Sequence, residues 1–209
     1  MRPRAIVLVL LAALAAPAPA QILHSGAGVR WHVVPYAGWV STGRLFRATG
    51  GGTFRNENSF LGGVQVGVDL NPFVAVVANG AYARPRATIA APGLPAADGH
   101  LGLLFADAGI QLRILAGWWF SPFGQAAIGL ARWSLSAGGL ASRSGTSFMT
   151  SAGGGFDVGI TRSVAVRFLV RDYITHLTWD ARGPAPLDSA VARNPSNNIA
   201  VSLGVRVGP

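Results

Sequence analysis

The chain has 209 residues, half of them hydrophobic, with 28 glycines and only 12% charged side chains. A soluble globular domain carries about twice that charge, and no stretch after residue 20 approaches the ~18–20 apolar residues of a spanning helix, which argues against both a soluble enzyme and a helical membrane protein. The formal net charge is +9, every basic side chain is Arg, and the lack of Cys removes disulfide frameworks and thiolate metal sites.

The first element is a secretory signal. Arg2 and Arg4 form a basic head, Ala5 to Ala16 is unbroken and apolar, and Ala18-Pro19-Ala20 supplies the small residues that a signal peptidase reads. Twelve apolar residues are too few for a spanning helix, and Pro17 and Pro19 break one. The predicted division is a signal peptide at 1–20, cut before Gln21, and one domain at 21–209, whose net charge is +7 without Arg2 and Arg4. An exported chain rarely meets nucleic acid, so the basic balance points away from that partner and toward phosphate-bearing lipid.

From residue 30 onward the hydrophobic period is two. Eight strands are predicted, at 30–41, 59–70, 73–84, 101–115, 119–133, 148–160, 164–178 and 197–208, most of them 11 to 15 residues long. Globular strands average about five or six residues, whereas tilted membrane strands need about 9–11. In the second strand Val64, Val66, Val68 and Leu70 share one face, and Gly63, Gln65, Gly67 and Asp69 the other. The third starts with a run, Phe73 to Ala78, that does not alternate; Asn79 is placed inward because lipid would not tolerate it. In the fourth, Leu104, Ala106, Ala108, Ile110, Leu112 and Ile114 oppose Phe105, Asp107, Gly109, Gln111 and Arg113. In the seventh, Asp172 falls on the outward parity of Val164, Val166, Phe168 and Val170, at the upper interface or at a bulge. The last alternates Ile199, Val201, Leu203, Val205 and Val207 with Asn198, Ala200, Ser202, Gly204 and Arg206. An apolar outer face and a small or polar inner face describe a barrel wall.

Connections alternate in length. Asn71-Pro72, the Ala116-Gly117 region and Thr161-Arg162-Ser163 are tight turns, whereas 42–58, 85–100, 134–147 and 179–196 are long and rich in Gly, Ser, Asn and Pro. Short periplasmic turns and long extracellular loops belong to an outer-membrane barrel, and an even strand count leaves both ends of the barrel on the periplasmic side. Aromatics cluster at two levels, Phe73, Trp118, Trp119 and Phe120 by the turns, and Trp39, Phe60, Tyr82, Trp133, Phe148 and Tyr173 toward the long loops, as two interfacial girdles would. The predicted fold is all-β: an eight-stranded antiparallel transmembrane β-barrel, an up-and-down meander behind a cleaved signal peptide, in the outer membrane.

The segment Gly153 to Arg167, with its Gly-rich strand ending in Phe156-Asp157, its tight turn, and Val164-Ala165-Val166-Arg167 beyond, resembles the small, eight-stranded outer-membrane β-barrel family of OmpA/OmpX type. Val34-Pro35-Tyr36-Ala37-Gly38 and Pro122 to Gly129 are similar to it as well, and the resemblance spans about residues 29–208. It implies delivery through the barrel assembly machinery. Such barrels commonly end in an aromatic residue; this chain departs from that pattern with Val205-Arg206-Val207-Gly208-Pro209.

Candidate chemistry is sparse. Barrels resembling lipid A deacylases carry a His-x-Ser-Asn element on a late strand, and the nearest match is His176-Leu177-Thr178-Trp179, with Thr for Ser and no Asn. His24, His32 and His100 lack metal-ligand spacing, and the Gly clusters at 50–52 and 153–155 are not phosphate loops. No cofactor, metal, catalytic residue or small-molecule substrate is expected. Inward parity instead gathers Asp69, Asp107, Arg113, Asp157, Arg167, Arg171 and Arg206 into an interior polar network. Counting back from the turn at 161–163 sets Asp157 opposite Arg167, within ion-pair reach. Arg44, Arg47, Arg55, Arg84, Arg86, Arg143, Arg182 and Arg193 outnumber four acids in the loops and are candidate contacts for lipopolysaccharide phosphates. The expected role is structural or surface-interacting, with a plugged interior and no open pore. The alternatives are a lipid-modifying enzyme and a soluble periplasmic, lipocalin-like barrel, which would invert the wall and put Gln65, Asp107, Gln111, Asp157 and Arg167 in water.

Overall fold

A computed structural model of the chain describes residues 30–42, 53–90, 97–115, 119–137, 143–175 and 195–208. The predicted signal peptide, the turn at 116–117, Trp118 and His176 lie outside them. The strands are β1 Arg30–Thr42, β2 Thr53–Asn56, β3 Ser59–Asp69, β4 Val74–Ala83, β5 Arg86–Ala90, β6 Ala97–Arg113, β7 Phe120–Ala137, β8 Arg143–Gly159, β9 Val164–Thr175 and β10 Ser196–Val207.

Among the described residues, eight of these close into one antiparallel barrel in the order β1, β3, β4, β6, β7, β8, β9, β10, and β10 returns to β1 with Tyr36 opposite Gly204 and Trp39 opposite Val201. Among the described residues no helix is long and apolar enough to cross a membrane; the crossing elements are strands. Closure leaves no ladder edge within the wall, which is what lipid demands of a sheet that crosses it.

Two of the tight turns use one device. The Asn71 side-chain oxygen accepts from the amides of Phe73 and Val74 at 2.8 and 2.9 Å. Thr161 does the same for Ser163 and Val164 at 3.2 and 3.0 Å. Short polar side chains that cap their own turn favour it over further extension, and each fixes the register of the hairpin above it: Ile160 donates to Val164 at 2.9 Å, and three residues up Asp157 lies opposite Arg167.

At the other end the strands run further than the alternation predicted. β2 and β5 continue β3 and β4 after interruptions at Glu57-Asn58 and Arg84-Pro85, and β6, β7 and β8 reach 17, 18 and 17 residues. The Pro85 carbonyl accepts from Leu101 at 3.0 Å, so the ladder passes the proline. Residues 53–56, 86–90, 97–100, 134–137 and 143–147 are therefore strand, where Gly, Ser and Asn richness had suggested loop. Above the lipid the outer face is polar and the inner face apolar, as in Ala131-Arg132-Trp133-Ser134-Leu135-Ser136, so the alternation that marks the wall in lipid is inverted there.

The wall has its apolar side outward. Val64, Val76, Leu104, Ile110, Ile128, Leu130, Val201 and Leu203 are exposed, whereas Gln65, Asp107, Gln111, Asp157 and Arg167 are buried inside. This polarity excludes the lipocalin-like alternative. Asp172 stays in unbroken register between Ala152 and Ile199, half-buried on the outward side, and accepts from Asn197 at 3.0 Å and from the Asn198 amide at 3.1 Å.

The girdles need one correction. Trp31, Phe73 and Trp119 are exposed toward the periplasmic turns, and Trp39, Phe60, Tyr82 and Phe148 toward the other end. Trp133 and Tyr173, assigned to the upper girdle, point into the lumen at 8% and 1% exposure. Parity explains it: Trp133 shares the inward face with Ala131, and Tyr173 with Arg171. Inward rings are accommodated by glycine on the facing strand. Gly63 lies opposite Tyr36, Gly67 opposite His32 and Gly145 opposite Trp133, and a Cβ at any of them would run into the ring.

Two measurements test this architecture. In detergent the purified protein should run at different apparent mass before and after boiling, because a closed ladder resists SDS until heated; identical mobility together with solubility in plain buffer would remove the transmembrane barrel. Ile128→Arg, at a position 64% exposed on the outward face, should cost about 2–4 kcal/mol of folding free energy in lipid vesicles. A negligible cost would place that face in water.

Candidate functional site

The lumen holds two stacked regions of opposite character. The lower is polar. Arg167 on β9 grips Asp157 on β8 with both prongs, Nε to Oδ1 at 2.7 Å and Nη2 to Oδ2 at 2.8 Å. Its third nitrogen donates to Gln111 Oε1 at 3.0 Å, and the same oxygen accepts from Gln65 Nε2 at 3.3 Å. Gln65 Oε1 in turn accepts from Arg171 at 2.9 Å, and Arg171 lies 3.4 Å from both carboxylate oxygens of Asp107. Asn79 and Ser151 donate to Asp107 Oδ2 at 3.3 Å each, and the Tyr36 hydroxyl donates to Asn79. The connected groups come from β1, β3, β4, β6, β8 and β9, so the network ties together strands that share no ladder.

Nearer the periplasmic end a second group centres on Asp69. Its Oδ1 accepts from Arg113 at 2.7 Å and lies 3.3 Å from His32 Nδ1, and its Oδ2 accepts from Arg206 at 3.2 Å. Arg113 also reaches the Pro72 carbonyl at 3.4 Å, bracing the β3–β4 turn. All seven residues assigned to an interior network from the sequence thus face the lumen, in two clusters: Asp107, Asp157, Arg167 and Arg171 in one, and Asp69, Arg113 and Arg206 in the other.

Burial makes these contacts consequential. Arg167 and Arg171 are 2% and 3% exposed. A desolvated charge costs several kcal/mol unless a partner and further hydrogen bonds compensate it. The upper cluster pairs two carboxylates with two guanidinium groups, and the Gln111 and Gln65 side-chain oxygens each accept from one further guanidinium nitrogen, while Arg171 Nε and Gln111 Nε2 are buried without a partner among the described residues. Rings cover the cations as well: the Arg167 guanidinium carbon lies 4.4 Å from the Phe123 centroid, and that of Arg171 lies 5.6 Å from Tyr173.

Above this layer the lumen is apolar. Val40, Leu61, Leu101, Leu103, Phe105, Trp133, Leu135 and Met149 are buried against one another, and Phe105 stacks on Tyr173 with centroids 4.4 Å apart and planes 8° from parallel. Tyr173 is the joint, with Phe105 on one side and Arg171 on the other. The sequence reading missed this region, and also His32, Tyr36, Gln65, Asn79, Gln111, Phe123 and Ser151 as members of the polar clusters. Their inward parity was legible; which of them meet across the lumen was not.

The loop arginines are redistributed. Arg55, Arg86 and Arg143 lie within β2, β5 and β8, and Arg84 sits at the β4–β5 interruption, because strands extend where loops had been expected. Arg84 and Arg86 are exposed. Arg44, Arg47, Arg182 and Arg193 lie outside the described residues, as does His176. Among the described residues no group of three His, Asp or Glu side chains gathers in metal-binding geometry.

A double-mutant cycle tests the centre of the network. Asp157→Ala and Arg167→Ala should each cost about 3–5 kcal/mol, and the double mutant less than their sum. Strict additivity in a reversible folding assay would show that the pair is uncoupled.

Comparison with known proteins agrees with this geometry. The outer membrane protein beta-barrel domain family matches residues 6–207. No curated protein matches. Among solved structures, the outer membrane protein OprG of Pseudomonas aeruginosa superposes with a TM-score of 0.61 at 12% identity, over 88% of this chain and 96% of that one. Neisserial surface protein A gives 0.53 at 17% identity, over 88% and 99%. At these identities the likeness shows the fold. With an apolar outer wall, a closed antiparallel ladder and a family match over nearly its whole length, the chain belongs to the outer membrane protein β-barrel domain family and resides in the outer membrane.

Proposed function

We propose that this protein is a sealed, non-enzymatic outer-membrane barrel with a structural and surface-interaction role, handled by the barrel assembly machinery and in contact with lipopolysaccharide. The observation that carries the reading is the doubly filled lumen. An ion crossing it would have to part the Arg167–Asp157 and Arg171–Asp107 pairs and then pass the packed layer of Leu101, Phe105, Met149 and Tyr173. Either obstacle suffices in an interior as narrow as that of eight strands, which side chains fill. The two are also complementary. Ion pairs brace the wall in several directions, and the apolar layer keeps water from reaching and loosening them from the open end.

The surface role is supported by the height of one side of the wall. β7 has 18 residues and its neighbours β6 and β8 have 17 each. Crossing lipid takes about 9–11, so one side of the barrel projects well beyond the membrane as a sheet, with β5 and β2 added at its margin. A rigid sheet that projects from the membrane offers a partner a fixed surface.

Planar-bilayer recording from pure protein tests the seal. The expected outcome is no regular conducting step. Opening both obstacles at once, with Arg171→Ala and Phe105→Ala combined, should produce leak where neither single change does. Regular steps from the wild-type protein would overturn the sealed-barrel reading.

A further inference from the structure

The outward face of the β4–β7 wall changes character over a short distance. Tyr82, Leu104 and Leu130 are exposed apolar residues at its upper margin, with Phe148 of β8 beside Leu130. Just beyond them the exposed outward positions become Arg84 and Arg86 on either side of the inward-facing Pro85, His100 on β6, and Arg132 on β7. Register sets their order on the wall: Arg132 lies directly opposite Leu104, which pairs on its other side with Tyr82, and His100, four residues further up β6, lies directly opposite Arg86. Adjacent strands are about 4.8 Å apart and rise about 3.4 Å per residue, so Arg132 on β7 lies two strand spacings, about 10 Å, from the line of Arg84 and Arg86, which continue upward from its level by about 7 and 14 Å. Arg132 was not among the arginines singled out from the sequence, because it sits inside a strand rather than in a loop.

The acids that lie beside the patch are Glu57, whose amide donates to the Arg86 carbonyl at 3.1 Å, and Asp98 on β6, opposite Thr88, so the arginines outnumber them. The ion pairs formed by carboxylates with Arg113, Arg167, Arg171 and Arg206 all lie inside the lumen, and none reaches Arg84, Arg86 or Arg132. The arginines stand on the lipid side of the wall, at the level where apolar side chains give out. A soluble anion would meet only the charges. An anchored amphiphile would meet the charges with its headgroup and Leu104, Leu130 and Phe148 with its acyl chains.

We propose that Arg84, Arg86 and Arg132, with His100 beside Arg86, form a phosphate-binding site on the lipid-facing wall for the phosphorylated glycolipid, lipid A, of the outer leaflet. The proposal deepens the surface-interaction reading above by naming a partner and a place for it, and it does not depend on whether the lumen is sealed. Guanidinium groups bind phosphate oxygens two at a time, and the patch offers three of them above an apolar platform.

The test titrates full-length barrel in zwitterionic detergent micelles with bisphosphorylated lipid A, counting bound lipid by native mass spectrometry. Parallel arms use dephosphorylated lipid A and inorganic pyrophosphate. The expected result is binding that weakens at least about tenfold when the phosphates are removed and again in R84Q/R86Q/R132Q, with the periplasmic-turn variant R162Q unchanged. Heat-shifted gel mobility of each variant shows that the barrel still forms; should the triple variant not fold, R132Q alone is read and should lose affinity in the same direction. Equal binding of phosphorylated and dephosphorylated lipid A would overturn the site, as would unchanged affinity in the arginine variants. Pyrophosphate bound as tightly as lipid A would show a free-anion site and overturn the lipid assignment. A wild-type barrel that conducts ions, yet loses lipid A in the triple variant, would keep this site while removing the sealed-barrel reading.

Discussion

The closure of β1 on β10 is the contact on which the rest depends. Once Tyr36 lies opposite Gly204 and Trp39 opposite Val201, every strand within the wall has two neighbours, and no row of amide or carbonyl groups faces hydrocarbon. Closure also fixes the size of the interior. Eight strands enclose room for side chains and little else, so each inward residue must find its partners among other inward residues. The ion pairs, the glutamine bridges and the stacked rings are consequences of that confinement.

Confinement explains the division of the lumen. Charged groups can be buried only where partners arrive from several strands at once, and this occurs where Asp157, Arg167, Gln111, Gln65, Arg171 and Asp107 meet. Toward the projecting sheet the inward residues are Leu, Phe, Trp and Met, and they pack as a soluble core does. The molecule therefore has apolar surface outside against lipid and again inside, with a polar layer enclosed between the upper core and the periplasmic mouth. Gly63, Gly67 and Gly145 allow the inward rings of Tyr36, His32 and Trp133 to lie flat against the facing strand instead of blocking closure.

The two polar clusters differ in what they brace. The bidentate Arg167–Asp157 contact joins neighbouring strands near their turn, whereas the bridge from Arg171 to Gln65 spans the lumen from β9 to β3. The Asp69 cluster gathers the ends of β3, β6 and β10 and the start of β1 around one carboxylate, close to where the chain enters and leaves the wall. Local contacts set register and crossing contacts set cross-section, and a closed barrel requires both.

Period-two alternation determined the two faces of each strand and the strand number, because lipid outside and confinement inside impose opposite demands on successive residues; strand length, the aromatic girdles and the unequal connections pointed the apolar face to lipid and the chain to the outer membrane. Alternation also determined the pairing of Asp157 with Arg167, since a three-residue turn leaves one register. It could not decide contacts across the lumen. Asp69 meets Arg206 across 137 positions and Arg171 meets Gln65 across 106, and such contacts depend on the stagger of the closed wall, which no local pattern encodes. Trp133 and Tyr173 show the same limit: residue type suggested the interface, parity pointed inward, and the closed barrel decided for parity. The strands above the membrane were illegible for the converse reason. With water on their outer face, the upper ends of the strands depart from the polarity that marks a wall in lipid, as in β7, where Arg132, Ser134 and Ser136 face out and Trp133 and Leu135 face in, and the ladder extending up from the barrel together with that inner core holds them as strands.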